Sequence, residues 1–142
     1  DLVATALREA QEEIGLEEPL LLGNLSSIPL YTSDHRLMPT AALVKQKGLC
    51  ANPEEVEKIL FVGVRSWLER SHIDAIPFDW DGEEQLSPVF DLGEARMLFG
   101  ATAHVFHELL GLLAPLLGLD LPPMRTGRFQ WSDLMAPGSH PQ

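Results

Sequence analysis

The feature that most constrains the fold is an amphipathic helix expected at the start of the chain. Apolar residues recur there at steps of three and four and form one stripe, made of Val3, Ala6, Leu7, Ala10 and Ile14. Gly15 stands where a left-handed C-cap belongs, and Leu16 follows as the usual apolar contact beyond it. The pattern therefore predicts a helix over residues 1–14 that ends at Gly15.

Three carboxylates share one face of this helix. Glu9, Glu12 and Glu13 lie at positions i, i+3 and i+4. Like charges at this spacing destabilise a helix, and the macrodipole disfavours anions near a helix C-terminus. Bound cations would offset both effects, and hard oxygen ligands suit Mg²⁺ or Mn²⁺. The alternative is an acidic helix face that is simply exposed to solvent.

The nine-residue string REAQEEIGL at positions 8–16 decides between these interpretations. It resembles the second half of the Nudix box, R-E-(apolar)-x-E-E-x-G-(apolar), at every specified position. The resemblance implies an enzyme that attacks a diphosphate with water, assisted by divalent metal. Glu9, Glu12 and Glu13 match the metal-binding glutamates, and Glu9, Glu12 and Arg8 are the expected catalytic residues. Arg8 matches the arginine that braces the loop and helix by ion pairing.

Further segments resemble one branch of the family, the coenzyme A pyrophosphatase-like Nudix proteins. Residues 1–9 resemble their D-L-x-x-T-A-L-R-E run, and residues 30–39 resemble their segment after the box. Residues 52–56 resemble their N-x-x-E-V signature, and residues 99–103 their W-G-x-T-A, with Phe99 in place of Trp. This resemblance implies cleavage of coenzyme A or acyl-coenzyme A into phosphopantetheine and adenosine 3′,5′-bisphosphate.

The upstream half of the box would precede Asp1, as would the strands that normally come before it. We therefore expect residues 1–121 to be a partial Nudix domain that starts inside the box, followed by a Pro-, Gly- and Ser-rich disordered tail at 122–142. Two alternatives stay open. One is hydrolysis of another nucleoside diphosphate derivative, such as ADP-ribose, or of a nucleoside triphosphate. The other is a catalytically inert Nudix-like fragment that binds a nucleotide or another chain.

Four later residues are further site candidates. Glu83 and Glu84, in an acidic segment, are predicted as additional metal ligands, with an exposed acidic loop as the alternative. His35 and Arg36 are predicted as substrate-binding residues that contact a phosphate, with a surface loop as the alternative.

Other side chains that carry chemistry have simpler explanations. His104 and His107 lie three residues apart, but neither a cysteine nor a carboxylate completes a metal site there, so partly exposed helix residues explain them better. Trp67 and Trp80 are interpreted as packing residues rather than as a platform for a base.

The remaining patterns predict an α/β fold, with a Nudix-type mixed sheet flanked by helices and lacking its N-terminal strands. Expected strands are 20–25, 38–44, 59–64, 87–92 and 96–99, with a short helix at 66–70, a loop at 76–85 and a helix at 102–114. Leucine-rich clusters at 20–22 and 109–117 and the apolar run 59–64 are expected to help form the core.

Composition narrows the partners. Cys50 is the only cysteine, which excludes an internal disulfide and a thiolate zinc site and favours a reducing, cytoplasmic compartment. A net charge of −11 argues against nonspecific nucleic-acid binding. No apolar run approaches the roughly 18–20 residues of a membrane span. The expected partner is a small-molecule diphosphate, and a homodimer is compatible with the sequence.

Overall fold

The computed structural model describes residues 1–30, 33–45 and 47–135. In chain order the elements are α1 (Leu2–Ile14), β1 (Leu20–Asn24), β2 (Ile28–Pro29), β3 (Arg36–Leu37), β4 (Thr40–Leu43), α2 (Val64–Leu68), β5 (Ile73–Trp80), β6 (Glu83–Asp91), β7 (Met97–Leu98), α3 (Gly100–Leu113), a 3₁₀ turn (Pro115–Leu117), β8 (Met124–Arg125) and α4 (Trp131–Leu134). They form two compact units. Unit 1 comprises residues 1–25 and 39–62, and unit 2 comprises residues 26–38 and the chain from residue 63 onward.

Helix α1 of unit 1 is capped at both ends. The Asp1 side chain accepts a hydrogen bond from the Val3 N–H at 3.1 Å, which satisfies one of the unpaired donors of the first turn. Gly15 ends the helix with φ 65° and ψ 34°, a left-handed conformation that glycine adopts without steric cost. The predicted helix and its predicted C-cap are confirmed.

Strands β1 and β4 of unit 1 pair antiparallel, with Leu20 opposite Leu43 and Asn24 opposite Thr40. Both strand predictions are confirmed. The expected burial of the leucine cluster is not, because Leu20, Leu21 and Leu22 are 60%, 44% and 64% exposed.

The predicted buried strand at 59–64 is wrong. Phe61 is 84% exposed, and Val64 already belongs to helix α2. The short helix predicted at 66–70 is confirmed, but it begins two residues earlier than predicted. The Ser66 hydroxyl donates to the Gly63 carbonyl at 2.8 Å at the start of this helix. A short apolar run does not distinguish strand from helix by its period.

The sheet of unit 2 has the strand order β7-β6-β5-β8. Strands β5, β6 and β7 are antiparallel neighbours, whereas β8 runs parallel to β5, so the sheet is mixed. Helix α3 packs against β6. The predicted α/β class with a mixed sheet is confirmed.

The predicted loop at 76–85 is wrong, because these residues form the end of the β5–β6 hairpin. Asp81 and Gly82 connect the strands with φ angles of 56° and 80°. Two central residues with positive φ make the type I′ turn whose backbone twist fits a two-residue hairpin. Asp-Gly is a preferred sequence for this turn, so the signal was present in the sequence.

The core of unit 2 is centred on Phe90, which is fully buried. Its ring makes edge contacts with Trp67 and with Phe106, each at 4.9 Å between centroids. Trp67 is 5% exposed, which confirms it as a packing residue. Leu110 of the leucine-rich cluster is also fully buried, but Leu116 is 79% exposed.

Residues 122–135, which the sequence predicts as part of a disordered tail, contain strand β8 and helix α4 in the structure. Strand β8 pairs with β5, and Arg128 forms ion pairs with Asp74 at 3.0 Å and Asp91 at 2.8 Å. The Trp131 indole N–H donates to the Pro77 carbonyl at 3.2 Å. These contacts hold in place a segment whose composition alone favours disorder. The rest of the predicted tail, residues 136–142, lies outside the described residues.

No helix in the described part of the chain is long and apolar enough to cross a membrane.

Candidate functional site

The acidic face of α1 is organised around one arginine. Arg8 Nη1 donates to both carboxylate oxygens of Glu12, at 3.0 and 2.9 Å, and Nη2 donates to Glu9 at 2.5 Å. The side chains of Arg8, Glu9 and Glu12 are 56%, 47% and 51% exposed. Three of the predicted site residues therefore lie together in direct contact, and all three remain open to solvent.

Charge on this face stabilises the arginine cation. The hydrogen bond to Glu12 and the negative charges of Glu12 and Glu9 raise the pKa of Arg8 above its usual value. One guanidinium charge is shared by two carboxylates, so the face keeps a net negative charge. Such a face attracts a further cation.

Glu13 lies one position after Glu12 and is partly buried. Its backbone carbonyl accepts a hydrogen bond from the Asn52 N–H at 2.8 Å, and the Ile14 carbonyl accepts one from Cys50 at 3.1 Å. The Asn52 carbonyl in turn accepts from Val56 at 2.8 Å. The segment predicted to resemble a family signature is thus attached to the C-terminal end of α1, where it satisfies carbonyls that the helix leaves unpaired.

The glutamates do not form a ready metal cluster. Among residues 1–30, 33–45 and 47–135, no group of three or more His, Cys, Asp or Glu side chains is arranged to hold a metal ion. The reason on α1 is local, because Glu9 and Glu12 point to Arg8. Both carboxylates are instead paired with the guanidinium of Arg8.

Glu83 and Glu84 belong to unit 2, at the start of β6. Glu83 lies opposite Trp80 and Glu84 opposite Asp79. Successive residues of a strand point to opposite faces of the sheet, so the two carboxylates cannot act on the same side.

His35 and Arg36 also belong to unit 2. Arg36 is occupied by Ser27, donating from Nη2 to the hydroxyl at 2.9 Å and to the carbonyl at 3.2 Å. The His35 side chain is exposed, and its carbonyl accepts from Leu30 at 3.0 Å. The neighbouring Tyr31 and Thr32, part of a segment that resembles the family, lie outside the described residues.

A cleft within unit 2 was not predicted from the sequence. Its volume is about 460 Å³, and it is lined by Ser26, Ile28, Pro29, Phe78, Trp80, Gln85, His104, His107 and Glu108. Two signals pointed to it. The Asp-Gly pair marks the hairpin that forms one wall, and His104, His107 and Glu108 share a helix face at i, i+3 and i+4.

Comparison with known proteins bears on the family of the chain. No protein-family model matches the chain. The chain is 33% identical over 109 residues to Nudix hydrolase 22, chloroplastic, of Arabidopsis thaliana, a match that covers 71% of this chain and 36% of that protein. It is 31% identical over 109 residues to Nudix hydrolase 15, mitochondrial, of the same plant, covering 71% and 38%. An uncharacterized Nudix hydrolase of Photorhabdus laumondii is 30% identical over 112 residues, covering 76% and 58%.

These relatives support a Nudix family assignment. The chain spans between about a third and three fifths of the length of the Nudix hydrolases it matches. The similarity extends over most of the chain, so it does not depend on the short acidic string of α1 alone.

Proposed function

We propose that this chain contributes the metal-binding face of a Nudix hydrolase that cleaves a diphosphate linkage with Mg²⁺ or Mn²⁺. The observation that carries the proposal is the set of three glutamates on α1, of which Glu9 and Glu12 are about half exposed and share a single cation, Arg8. The Nudix relatives support hydrolysis of a diphosphate in general terms.

The donor set suits these ions. Mg²⁺ and Mn²⁺ prefer carboxylate oxygens and bind through few protein ligands while keeping positions for substrate phosphates. An ion pair between exposed side chains contributes little to stability, so Glu9 and Glu12 can each give a carboxylate oxygen to the ion at small cost while keeping a contact with Arg8. When bound, the ion supplies positive charge against the charge that develops at phosphorus and lowers the pKa of the attacking water.

The other proposed residues have defined tasks. Arg8 orients Glu9 and Glu12, because its guanidinium contacts both carboxylates at once. A further carboxylate comes from Glu83 or Glu84, but only one of the two faces a given side of the sheet. His35 and Arg36 contact a substrate phosphate, for which Arg36 has to leave Ser27.

The proposed substrate is coenzyme A or an acyl-coenzyme A. Support comes from the segments that resemble the coenzyme A pyrophosphatase-like branch. One of them, residues 52–56, is hydrogen-bonded to the C-terminal end of α1 through Asn52. The test is to compare turnover of coenzyme A, ADP-ribose and a nucleoside triphosphate with Mg²⁺, using the full-length product of the gene that encodes this chain. Coenzyme A should be the best of the three, and the worst rank for coenzyme A would contradict the branch assignment.

A non-catalytic binding role is the second candidate. It is favoured by the pairing of Glu9 and Glu12 with Arg8 and by the lack of a ready metal cluster in the described residues. The same assay separates the two roles, since an inert module shows no metal-dependent turnover of any of the three compounds.

We further propose that the protein works in a reducing compartment such as the cytoplasm. Cys50 is exposed and free. An exposed thiol is prone to oxidation or intermolecular pairing where conditions are oxidising.

A further inference from the structure

A serine, a histidine and an aspartate lie together where strand β5 of unit 2 begins. The Ser71 hydroxyl is 2.9 Å from Nδ1 of His72, and Nε2 of His72 is 3.6 Å from Oδ1 of Asp74. A hydroxyl within hydrogen-bond reach of an imidazole that a third group orients is the arrangement of an activated nucleophile. The proposed diphosphate hydrolysis gives none of these three residues a task.

Asp74 is held firmly, and its two carboxylate oxygens have different neighbours. Its side chain is only 10% exposed, and Oδ2 accepts a hydrogen bond from Arg128 at 3.0 Å. Oδ1 is the oxygen that faces His72. The 3.6 Å between them exceeds a hydrogen bond, but contacts between catalytic groups are often long before a substrate binds. A nearly buried anion therefore lies beside one nitrogen of the ring.

This anion determines the role of each ring nitrogen. A carboxylate beside Nε2 favours the tautomer with the proton on that atom, which leaves Nδ1 free to accept a hydrogen bond from the Ser71 hydroxyl. The negative charge also stabilises the imidazolium that forms when Nδ1 takes up the hydroxyl proton. Arg128 shares Asp74 but also pairs with Asp91 at 2.8 Å, so the two carboxylates and one guanidinium stay net negative. His72 is thus placed as the general base of Ser71.

The pair of Ser71 and His72 is both accessible and anchored. Ser71 is exposed and the His72 side chain is 36% exposed, so a reactant in solvent can reach both. The next residue, Ile73, is fully buried, and its N–H donates to the Pro123 carbonyl at 2.9 Å. The backbone N–H groups of Ser71 and His72 have no hydrogen-bond partner among the described residues. They are therefore available to the oxygen of a carbonyl group that Ser71 attacks.

We infer that Ser71 is a nucleophile for acyl transfer, with His72 as its general base and Asp74 as the group that orients His72. The site takes a small, uncharged ester with a good leaving group. A small ester is favoured because the nucleophile and its base lie at the surface, where only a few groups can hold the substrate. An uncharged ester is favoured because a net charge of −11 on the chain repels an anionic acyl group.

The reaction has two balanced steps. In the first, the Ser71 oxygen bonds to the acyl carbon while its proton passes to Nδ1 of His72, and the leaving oxygen departs as an alcohol or phenol that takes this proton. In the second, water attacks the acyl-serine and gives a proton to Nδ1, and the Ser71 oxygen departs and recovers it. The sum is hydrolysis of one ester to an acid and an alcohol without a metal, so the inference does not rest on the proposed diphosphate hydrolysis.

The test incubates the 142-residue chain briefly with 4-nitrophenyl acetate at neutral pH and locates the acetyl group by peptide mass spectrometry. We expect acetylation of Ser71 ahead of every other residue, at a rate that a metal chelator does not change. Ser71→Ala should abolish the label in this peptide. His72→Gln should slow acetylation of Ser71 at least about tenfold, because a well-oriented general base contributes about 10²–10⁴-fold.

A matched control separates this site from the general reactivity of surface serines. Ser132→Ala removes another exposed serine of unit 2, on α4, and should leave acetylation of Ser71 unchanged. Circular dichroism checks that each variant folds, and the exposed Ser71→Ala still decides if His72→Gln does not fold. The inference is overturned if Ser71 is not acetylated, if Ser132 is labelled as fast as Ser71, or if folded His72→Gln reacts at the original rate.

Discussion

Arg8 and Glu12 are joined through a single guanidinium nitrogen, Nη1, which donates to both oxygens of the Glu12 carboxylate at 3.0 and 2.9 Å. The second nitrogen of the same guanidinium holds Glu9. Two of the three proposed metal ligands therefore depend on one cation. A divalent ion on α1 has to compete with this cation for the same oxygens.

Replacing Arg8 by Gln should separate metal affinity from turnover. Removal of the competing charge should tighten Mn²⁺ binding roughly two- to fivefold, whereas loss of the group that orients Glu9 and Glu12 should slow turnover. Mn²⁺ binding is measured by calorimetry and turnover by product release. Arg65→Gln is the control, because it breaks another i,i+4 pair, to Glu69, in unit 2. Weaker Mn²⁺ binding in Arg8→Gln would show that Arg8 does not compete with the ion.

Glu12→Gln removes the charge of a proposed metal ligand but preserves the size of the side chain. We expect turnover of the full-length protein to fall at least about 100-fold, because charge stabilisation of the transition state depends on the ion held there. The control is Glu57→Gln, the same change at an exposed position of unit 1 outside α1. An unchanged rate in Glu12→Gln would remove Glu12 from the site.

Acidification should destabilise unit 2 through His104. Burial lowers its pKa in the folded state, so below about pH 6.5 the unfolded chain takes up a proton that the folded chain refuses. The free energy of unfolding therefore falls as the pH falls through this range. His104→Phe should reduce the slope, which is checked by urea unfolding between about pH 7.5 and 5.5. The exposed His35→Gln variant is the control, and a slope unaffected by His104→Phe would contradict the expectation.

Arg128 should hold the C-terminal segment to the sheet. The Asp74 side chain is only 10% exposed and pairs with Arg128 at 3.0 Å. Arg128→Met leaves this carboxylate nearly buried and without its arginine partner, with His72 at 3.6 Å, which should cost about 1–3 kcal/mol in urea unfolding. Arg65→Met, in a pair with both partners exposed, should cost about 0.5 kcal/mol or less. Adding Asp74→Asn to Arg128→Met should recover part of the loss, and no recovery would argue that Arg128 acts by packing alone.

The elements that can be predicted from the sequence are those whose structure depends on their own residues. Helix α1 has a complete apolar stripe, an N-cap aspartate and a C-cap glycine, so its bounds follow from local chemistry. The loop predicted around Asp81 and Gly82 is wrong for a different reason. The acidic composition of this segment favours a loop, but the Asp-Gly turn signal is stronger.

Tertiary contacts determine the structure of the C-terminal segment and most of the cleft of unit 2. The C-terminal segment is fixed by Arg128 and by pairing of β8 with β5, partners that are distant along the chain. Likewise, the spacing of His104 and His107 showed a shared helix face but not the aromatic wall opposite. For α1 the sequence predicted which residues share a face, yet not that Arg8 would occupy the carboxylates.

The most direct test of the account is a Mn²⁺ titration of the ¹⁵N-labelled 142-residue chain followed by NMR. If the face of α1 is a metal site, amide signals of residues 8–13 should broaden first and in a saturable manner, and Glu12→Gln should suppress the effect. Broadening that begins at the acidic turn 79–84 instead, or that spreads over all acidic segments alike, would contradict the central claim.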